Sequence, residues 1–268
     1  MMLRNSRIYS FWGASTSTCS GTRHTAWSAG LYRCRKTMET SNYFGEVVPS
    51  ETWVIKYGEH RLVFEPLSAH RVVYKKFHRN ALVREFLIAA GHDKISILPL
   101  PPIHGPLATD FLMLRLEPPI ALGVEAKISI ETRMPIAVGV FVGRKLLDIV
   151  QSSPVKYAVY GSPLEGLLCR YLSLKLEEQE SELSGVVELR LVNNSGKPVK
   201  VNKIVAPIRG IHTYIDIEGR VYLSGIAMNI MDRRSAEVVT GLEPPNPSAR
   251  PIPGKKPRIT TFIMKYGY

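Results

Sequence analysis

Cysteine is scarce in this chain: three residues in 268, and two of them, Cys19 and Cys34, lie in the first 37 positions. Cys169 stands alone in the body, where it can close no internal disulfide and complete no cysteine-rich zinc site. That excludes the disulfide-stapled secreted class and makes a reducing cytoplasm the expected setting. Long apolar runs are also missing, and the best candidates, near 136–142 and 86–90, fall far short of the ~20 residues a membrane-crossing helix needs. There is no GxSxG elbow, Walker loop or dinucleotide fingerprint. The stretch from Gly139 to Gly143 lacks the strand, tight turn and helix order of a phosphate loop. Six histidines lie beyond Met38 (His60, His70, His78, His92, His104 and His212), none at HxH or HExxH spacing. The expectation is no metal, no cofactor and no positive support for an enzyme.

Acidic residues are absent from 1–37, where Arg4, Arg7, Arg23, Arg33, Arg35 and Lys36 stand among serines and threonines without a steady period. An organelle transit peptide, a basic nucleic-acid arm and sequence upstream of the true start all fit that composition. The third is favoured, because acidic residues and strand-like alternation set in from Met38, which is then the expected start. Residues 1–37 would be disordered or no part of the native protein. The formal net charge of +12 shrinks accordingly, to 29 basic against 23 acidic residues after position 37. That balance permits an anionic partner without requiring one.

Beyond Met38 the pattern is β: short alternating runs rich in Val, Ile, Thr and Tyr, broken by Gly, Pro or Asn every ~8–12 residues. Strands are expected over 43–48, 53–57, 61–65 and 71–77, with a tight hairpin turn at Tyr57-Gly58-Glu59-His60. Leu82, Phe86 and Ala89 have helical spacing, so 82–90 is expected to be a short helix. Three prolines exclude a central strand over 98–103 and suggest a boundary there. Strands are expected again over 111–116, 125–131, 136–142 and 146–150, with 132–135 as a connection. Alternation of Val187, Leu189 and Leu191 before Asn193-Asn194-Ser195-Gly196 predicts a hairpin with one buried face over 185–207. The same asparagines match a glycosylation acceptor but suit turn chemistry better. A second hairpin is expected around Glu218-Gly219. Residues 243–257 hold six prolines and read as an unpacked, moderately basic linker, with a C-terminal strand after it. The expected fold is all-β: a smaller N-terminal β region over 38–106 and a β-sandwich over 107–268, with few or no long helices.

One cluster stands out as a ligand or partner surface: Lys156, Tyr157, Tyr160, Gly161, Glu165, Arg170 and Tyr171. Lys156 and Arg170 could clamp an anion while the tyrosines stack or donate hydrogen bonds. The plainer alternative has the tyrosines in the core, the glycines in turns and Glu165 paired with a cation, all common structural devices. A second candidate is the basic, aromatic run 71–79, whose Arg71, Lys75, Lys76 and Arg79 could contact nucleic acid. Strand alternation splits those charges between two faces, as a lysine-guarded edge strand would. A hydrolase or lyase would need Glu165, Arg170 and one histidine to converge on a pocket.

The elements PIAVGVFVG, LLDIV, KYAVYG, EGLLCRY and the NNSG turn leading to IVAP, in that order, resemble an uncharacterised archaeal family, domain of unknown function four-three-two. The resemblance spans Met38 to about Met231, and its most specific part is KYxxYG with Gly166, Arg170 and Tyr171 downstream. It implies no activity, cofactor or catalytic residue. It does imply a cytoplasmic archaeal setting, and the family's gene neighbourhood admits a membrane channel as a partner. The resulting expectation is a non-enzymatic binding or protein-interaction module, with a nucleic-acid-binding protein and a small-molecule hydrolase or lyase as rivals.

Overall fold

Alternating apolar residues bury one face of many strands, β5 and β14 among them, and the computed structural model is an all-β chain. It describes residues 37–152, 154–162, 164–176, 183–252 and 257–268. The basic leader 1–36 and residues 253–256 of the proline-rich segment lie outside the described residues. Among the described residues the only helical element is a three-residue 3-10 turn, Ile208–Gly210. The chain divides into two compact units, one of 1–97 with 140–147 and one of 98–139 with 148–268.

The described part of the first unit begins with β1 (Thr37–Ser41), β2 (Gly45–Val47), β3 (Thr52–Tyr57), β4 (His60–Ser68), β5 (Arg71–His78) and β6 (Ala81–Ala89). Its five-stranded sheet has the order β1-β3-β4-β5-β6. The β3–β4 turn is the expected one: Tyr57 pairs with His60, and Gly58 takes a φ of 55°, which glycine adopts without penalty. Residues 82–90 are not the expected helix. β6 pairs along β5, with Tyr74 opposite Phe86 and Val72 opposite Ile88, so cross-strand packing overrides the helical spacing of Leu82, Phe86 and Ala89.

β7 (Ile95–Leu100) corrects a second expectation, because it runs through Leu98 and Pro99 and lies between β10 and β2 in its sheet. β2 pairs only with Ile95 to Ile97, so Pro99 sits past the last β2 partner and its missing N–H breaks no bond of that ladder.

The next strands are β8 (Phe111–Leu122), β9 (Lys127–Pro135), β10 (Ala137–Val142), β11 (Lys145–Gln151), β12 (Lys156–Tyr160), β13 (Leu167–Lys175), β14 (Ser184–Asn193) and β15 (Val199–Pro207). Residues 132–135 continue β9 instead of forming a connection, since β14 supplies partners as far as Pro135. The chain closes with β16 (Thr213–Ile215), β17 (Val221–Leu223), β18 (Gly225–Ile230), β19 (Ala236–Leu242), β20 (Arg250–Pro251) and β21 (Thr260–Met264).

In the second unit a four-stranded sheet, β12-β13-β8-β15, faces an eight-stranded one built around β14. Phe111 meets Phe262 across them, with ring centroids 4.5 Å apart. The expected β14–β15 hairpin is absent, because β14 pairs with β9, β17 and β18 while β15 pairs with β8. The Asn193–Gly196 turn therefore arches between two sheets. Asn193, fully buried, holds it: its Nδ2 donates to Gly123 O and Lys197 O, each at 2.7 Å, and its Oδ1 accepts from the Ser195 N–H at 3.1 Å. The β16–β17 hairpin and a C-terminal strand, β21, are as expected, and β21 pairs with β19. The described part of the proline-rich segment packs: Arg250 and Pro251 pair with β16, and Asn246 Nδ2 donates to Tyr222 Oη at 3.2 Å.

Candidate functional site

The β12–β13 hairpin carries the main cluster, and its register decides which side chains meet. Lys156 lies opposite Tyr171, Tyr157 opposite Arg170, Ala158 opposite Cys169 and Tyr160 opposite Leu167. Cross-strand partners share a face and successive residues alternate. One face thus carries Tyr157 and Arg170, and the other carries Lys156, Tyr160 and Tyr171. An anion clamp built from Lys156 and Arg170 is excluded by this pleat, since the two point to opposite sides of the sheet.

On the second face, Tyr160 is 1% exposed and its hydroxyl is satisfied. It accepts from the Tyr266 N–H at 2.9 Å and donates to Gly267 O at 3.2 Å, with the Tyr266 ring edge-on at 5.7 Å. Burial pushes its phenol up. Tyr160 therefore fastens the C-terminal segment and offers no surface. Cys169 is fully buried, and burial pushes its thiol up to about 11, so it is no nucleophile at neutral pH. Lys156 is exposed and Tyr171 half-buried. Gly161 and Glu165 belong to the hairpin turn, where the Glu165 N–H donates to Ser162 Oγ at 3.1 Å. Glu165 is exposed there and lines no part of the cavity beside Arg170.

Arg170 differs from all of these. It sits in mid-strand, 3% exposed, between Tyr157 on one side and Leu112 of β8 on the other. Its Nη1 donates to Lys156 O at 3.2 Å, and its guanidinium carbon lies 5.9 Å from the Tyr157 ring centroid. Its Nε is buried without an acceptor, and no carboxylate among the described residues pairs with it. Burial lowers its pKa and the Tyr157 hydroxyl opposes that shift, but a guanidinium keeps its proton in proteins.

Arg170 lines a cavity with Pro102, His104, Pro135, Gln151 and Ser152 among the walls. The loop from Pro102 to Leu107 gives it two of those walls, Pro102 and His104, and is fastened at two points. The Tyr157 hydroxyl accepts from the Leu107 N–H at 2.9 Å and donates to the Leu107 carbonyl at 3.1 Å. Gln151 Nε2 donates to His104 O at 2.9 Å. Gly105 is required by this arrangement, because a Cβ there would overlap the Tyr157 hydroxyl. Burial lowers the pKa of His104 and keeps its imidazole neutral. His104, Gln151 and Ser152 were not legible as site residues, being 18 or more positions from Arg170 with no motif to tie them together.

In the first unit, the basic run is distributed over two faces and a turn. Lys75 Nζ contacts Glu65 Oε2 at 2.7 Å and Glu85 Oε1 at 3.9 Å, and Arg79 Nε contacts Glu59 Oε1 at 2.8 Å. Lys76 is 8% exposed, on the buried face with Val72 and Tyr74, while Arg71 is exposed. Of the four residues proposed for nucleic acid, two are matched by carboxylates and one is turned inward. His60 and His78 face each other across β4 and β5 with ring centroids 4.6 Å apart. No group of three or more His, Cys, Asp or Glu among the described residues has metal-holding geometry.

The chain matches the family described as Protein of unknown function (DUF432) over residues 43–265, and it belongs to that family. The match takes in both units, including the β12–β13 hairpin and the 102–107 loop. No curated protein and no solved structure matches it. No helix among the described residues is long and apolar enough to cross a membrane.

Proposed function

We propose that the second unit is a non-catalytic binding module and that the face of the β12–β13 hairpin carrying Arg170 and Tyr157 reads an anionic ligand. The observation that carries this reading is the buried guanidinium with no carboxylate partner among the described residues. Burying an unpaired charge costs several kcal/mol, and native proteins offset that with a counter-charge. The walls hold no acidic side chain and offer amide, hydroxyl and imidazole groups instead. A catalytic reading has less support, since Glu165 is outside the cavity and the Cys169 thiol is protonated. Nucleic-acid binding through 71–79 also has less support, because phosphate contacts need cations free of carboxylate partners.

The test compares the full chain with Arg170→Met by thermal unfolding against anionic compounds of graded size, each beside a neutral isostere. Anion-specific stabilisation that falls at least tenfold in apparent affinity in the variant supports the reading. Stabilisation by the neutral isosteres alone, or by no compound at all, refutes it.

A further inference from the structure

We propose that His70 and His92, on two neighbouring turns of the first unit, form a two-imidazole site for a divalent late transition-metal ion, copper(II) before nickel(II) or zinc(II). The site lies in the other unit from Arg170 and is independent of the anion-binding reading.

The two histidines stand far apart in sequence at no ligand spacing, and only strand pairing joins them. His70 ends the turn between β4 and β5, and His92 lies in the turn between β6 and β7. The β5–β6 ladder reaches Arg71 opposite Ala89, and the Ala90 N–H extends it by donating to His70 O at 2.9 Å. The Asp93 N–H donates back to Ala90 O at 2.9 Å and closes the turn that carries His92, with Gly91 at a φ of 59°. Both backbones are thereby tied together, and the two rings meet edge to face with centroids 5.7 Å apart.

Distance is the first reason. A ligating imidazole nitrogen sits about 2.1 Å from the metal and the ring centre roughly 1 Å behind it, so two imidazoles on one ion have centroids about 5–6 Å apart at tetrahedral or wider angles. The observed separation falls within that range. Aiming a nitrogen of each ring at a shared ion takes side-chain rotation alone, and both residues are exposed, so no core packing resists it.

Availability is the second. No hydrogen bond or ion pair to another described residue engages either ring. The other close histidine pair differs in this respect, because Glu59 Oε2 lies 3.7 Å from His78 Nε2 and already competes for it.

Donor type is the third. Imidazole nitrogens suit copper, nickel and zinc, whereas calcium and magnesium seek oxygen, and copper(II) binds a nitrogen site more tightly than either of its neighbours in the series. No third His, Cys, Asp or Glu among the described residues joins the pair in metal-holding geometry. The protein therefore supplies two ligands and leaves the remaining positions to water.

Two measurements on the untagged full chain test this. Titration calorimetry with copper(II), nickel(II), zinc(II) and magnesium chlorides at neutral pH should show copper binding tightest and magnesium not at all. His70→Gln and His92→Gln should each weaken the tightest copper site at least tenfold, while His78→Gln leaves it unchanged. Equal unfolding temperatures of the variants and the unaltered chain in metal-free buffer show that the loss is one of ligands. The paramagnetic resonance spectrum of the unaltered chain with one equivalent of copper needs no variant, and it should carry the hyperfine pattern of two imidazole nitrogens. Copper affinity that survives either substitution, or that falls with His78→Gln instead, overturns the proposal. A spectrum with one imidazole nitrogen or none overturns it as well.

Discussion

Removing the Asn193 side chain should loosen the second unit more than any other single polar deletion in its core. The amide is fully buried; its Nδ2 donates to Gly123 O and Lys197 O at 2.7 Å each, and its Oδ1 accepts from Ser195 Oγ at 2.7 Å and from the Ser195 N–H at 3.1 Å. A net hydrogen bond is worth about 1 kcal/mol, and stranding a buried partner adds about 1–3 kcal/mol, so Asn193→Ala should cost about 3–5 kcal/mol in all. Asn193→Asp separates the causes. It keeps the acceptor for Ser195 but turns a carboxylate oxygen toward the Gly123 and Lys197 carbonyls, and burial raises the pKa of such a carboxyl. A raised carboxyl pKa gives stability that is fully present below the ordinary value of ~4 and lost as pH rises through the folded one. Asn193→Asp should therefore be worse than Asn193→Ala at pH 7 and approach or pass it in acid. Tryptophan emission cannot follow this, because Trp12, Trp27 and Trp53 all precede residue 98. Amide hydrogen exchange in peptides from 184–207 can, and a loss of 3–5 kcal/mol reads as roughly hundred- to several-thousand-fold faster exchange. An acceleration under fivefold for Asn193→Ala, or a gap between the two variants that ignores pH, would refute the reasoning.

The other face of the hairpin gives two further outcomes. Tyr160→Phe removes the acceptor for the Tyr266 N–H and the donor to Gly267 O, so it should cost about 1–3 kcal/mol. The largest rise in hydrogen exchange should fall at the Tyr266 amide, and an unchanged Tyr266 amide would disprove the fastening role. The Cys169 thiol, pushed up to about 11, should resist thiol reagents at pH 8 in the native protein and react only on unfolding. Its contribution to stability is fully present below the ordinary thiol pKa and is lost as pH rises through about 11. Rapid native labelling at pH 8 would contradict that placement.

Local chemistry was readable where a structure is made by neighbours in sequence. The Tyr57–His60 turn needs only Gly58 and two flanking alternating runs, and the β16–β17 hairpin is equally short-range. Errors arose where distant partners decide. Residues 82–90 carry spacing suited to either a helix or a strand, and it is the β5 edge that makes them a strand. The Asn193–Gly196 turn has hairpin composition, yet β14 and β15 leave it for different sheets, because β8 and β9 offer each of them a longer partner. Proline at position 99 excluded a strand only on the assumption that both edges of β7 are fully paired there.

The candidate site shows the same limit in a sharper form. Lys156, Tyr157, Tyr160, Arg170 and Tyr171 look like one charged aromatic cluster when read along the chain, but a strand has a period of two. The odd offset between Lys156 and Tyr157, carried through the hairpin register, sends Lys156 and Arg170 to opposite faces. Arg170 thereby keeps Tyr157, loses the Lys156, Tyr160 and Tyr171 side chains to the other face, and shares a cavity wall with His104, Gln151 and Ser152, which the sequence never set beside it. Burial then changes what the residue means. An exposed arginine beside a lysine and two tyrosines would be an ordinary surface cation with a solvated charge. The same arginine, 3% exposed and without a carboxylate among the described residues, is what the anion-binding proposal is built on. The functional reading therefore rests on register and burial, both set by tertiary pairing, and not on the residue types that first drew attention to the hairpin.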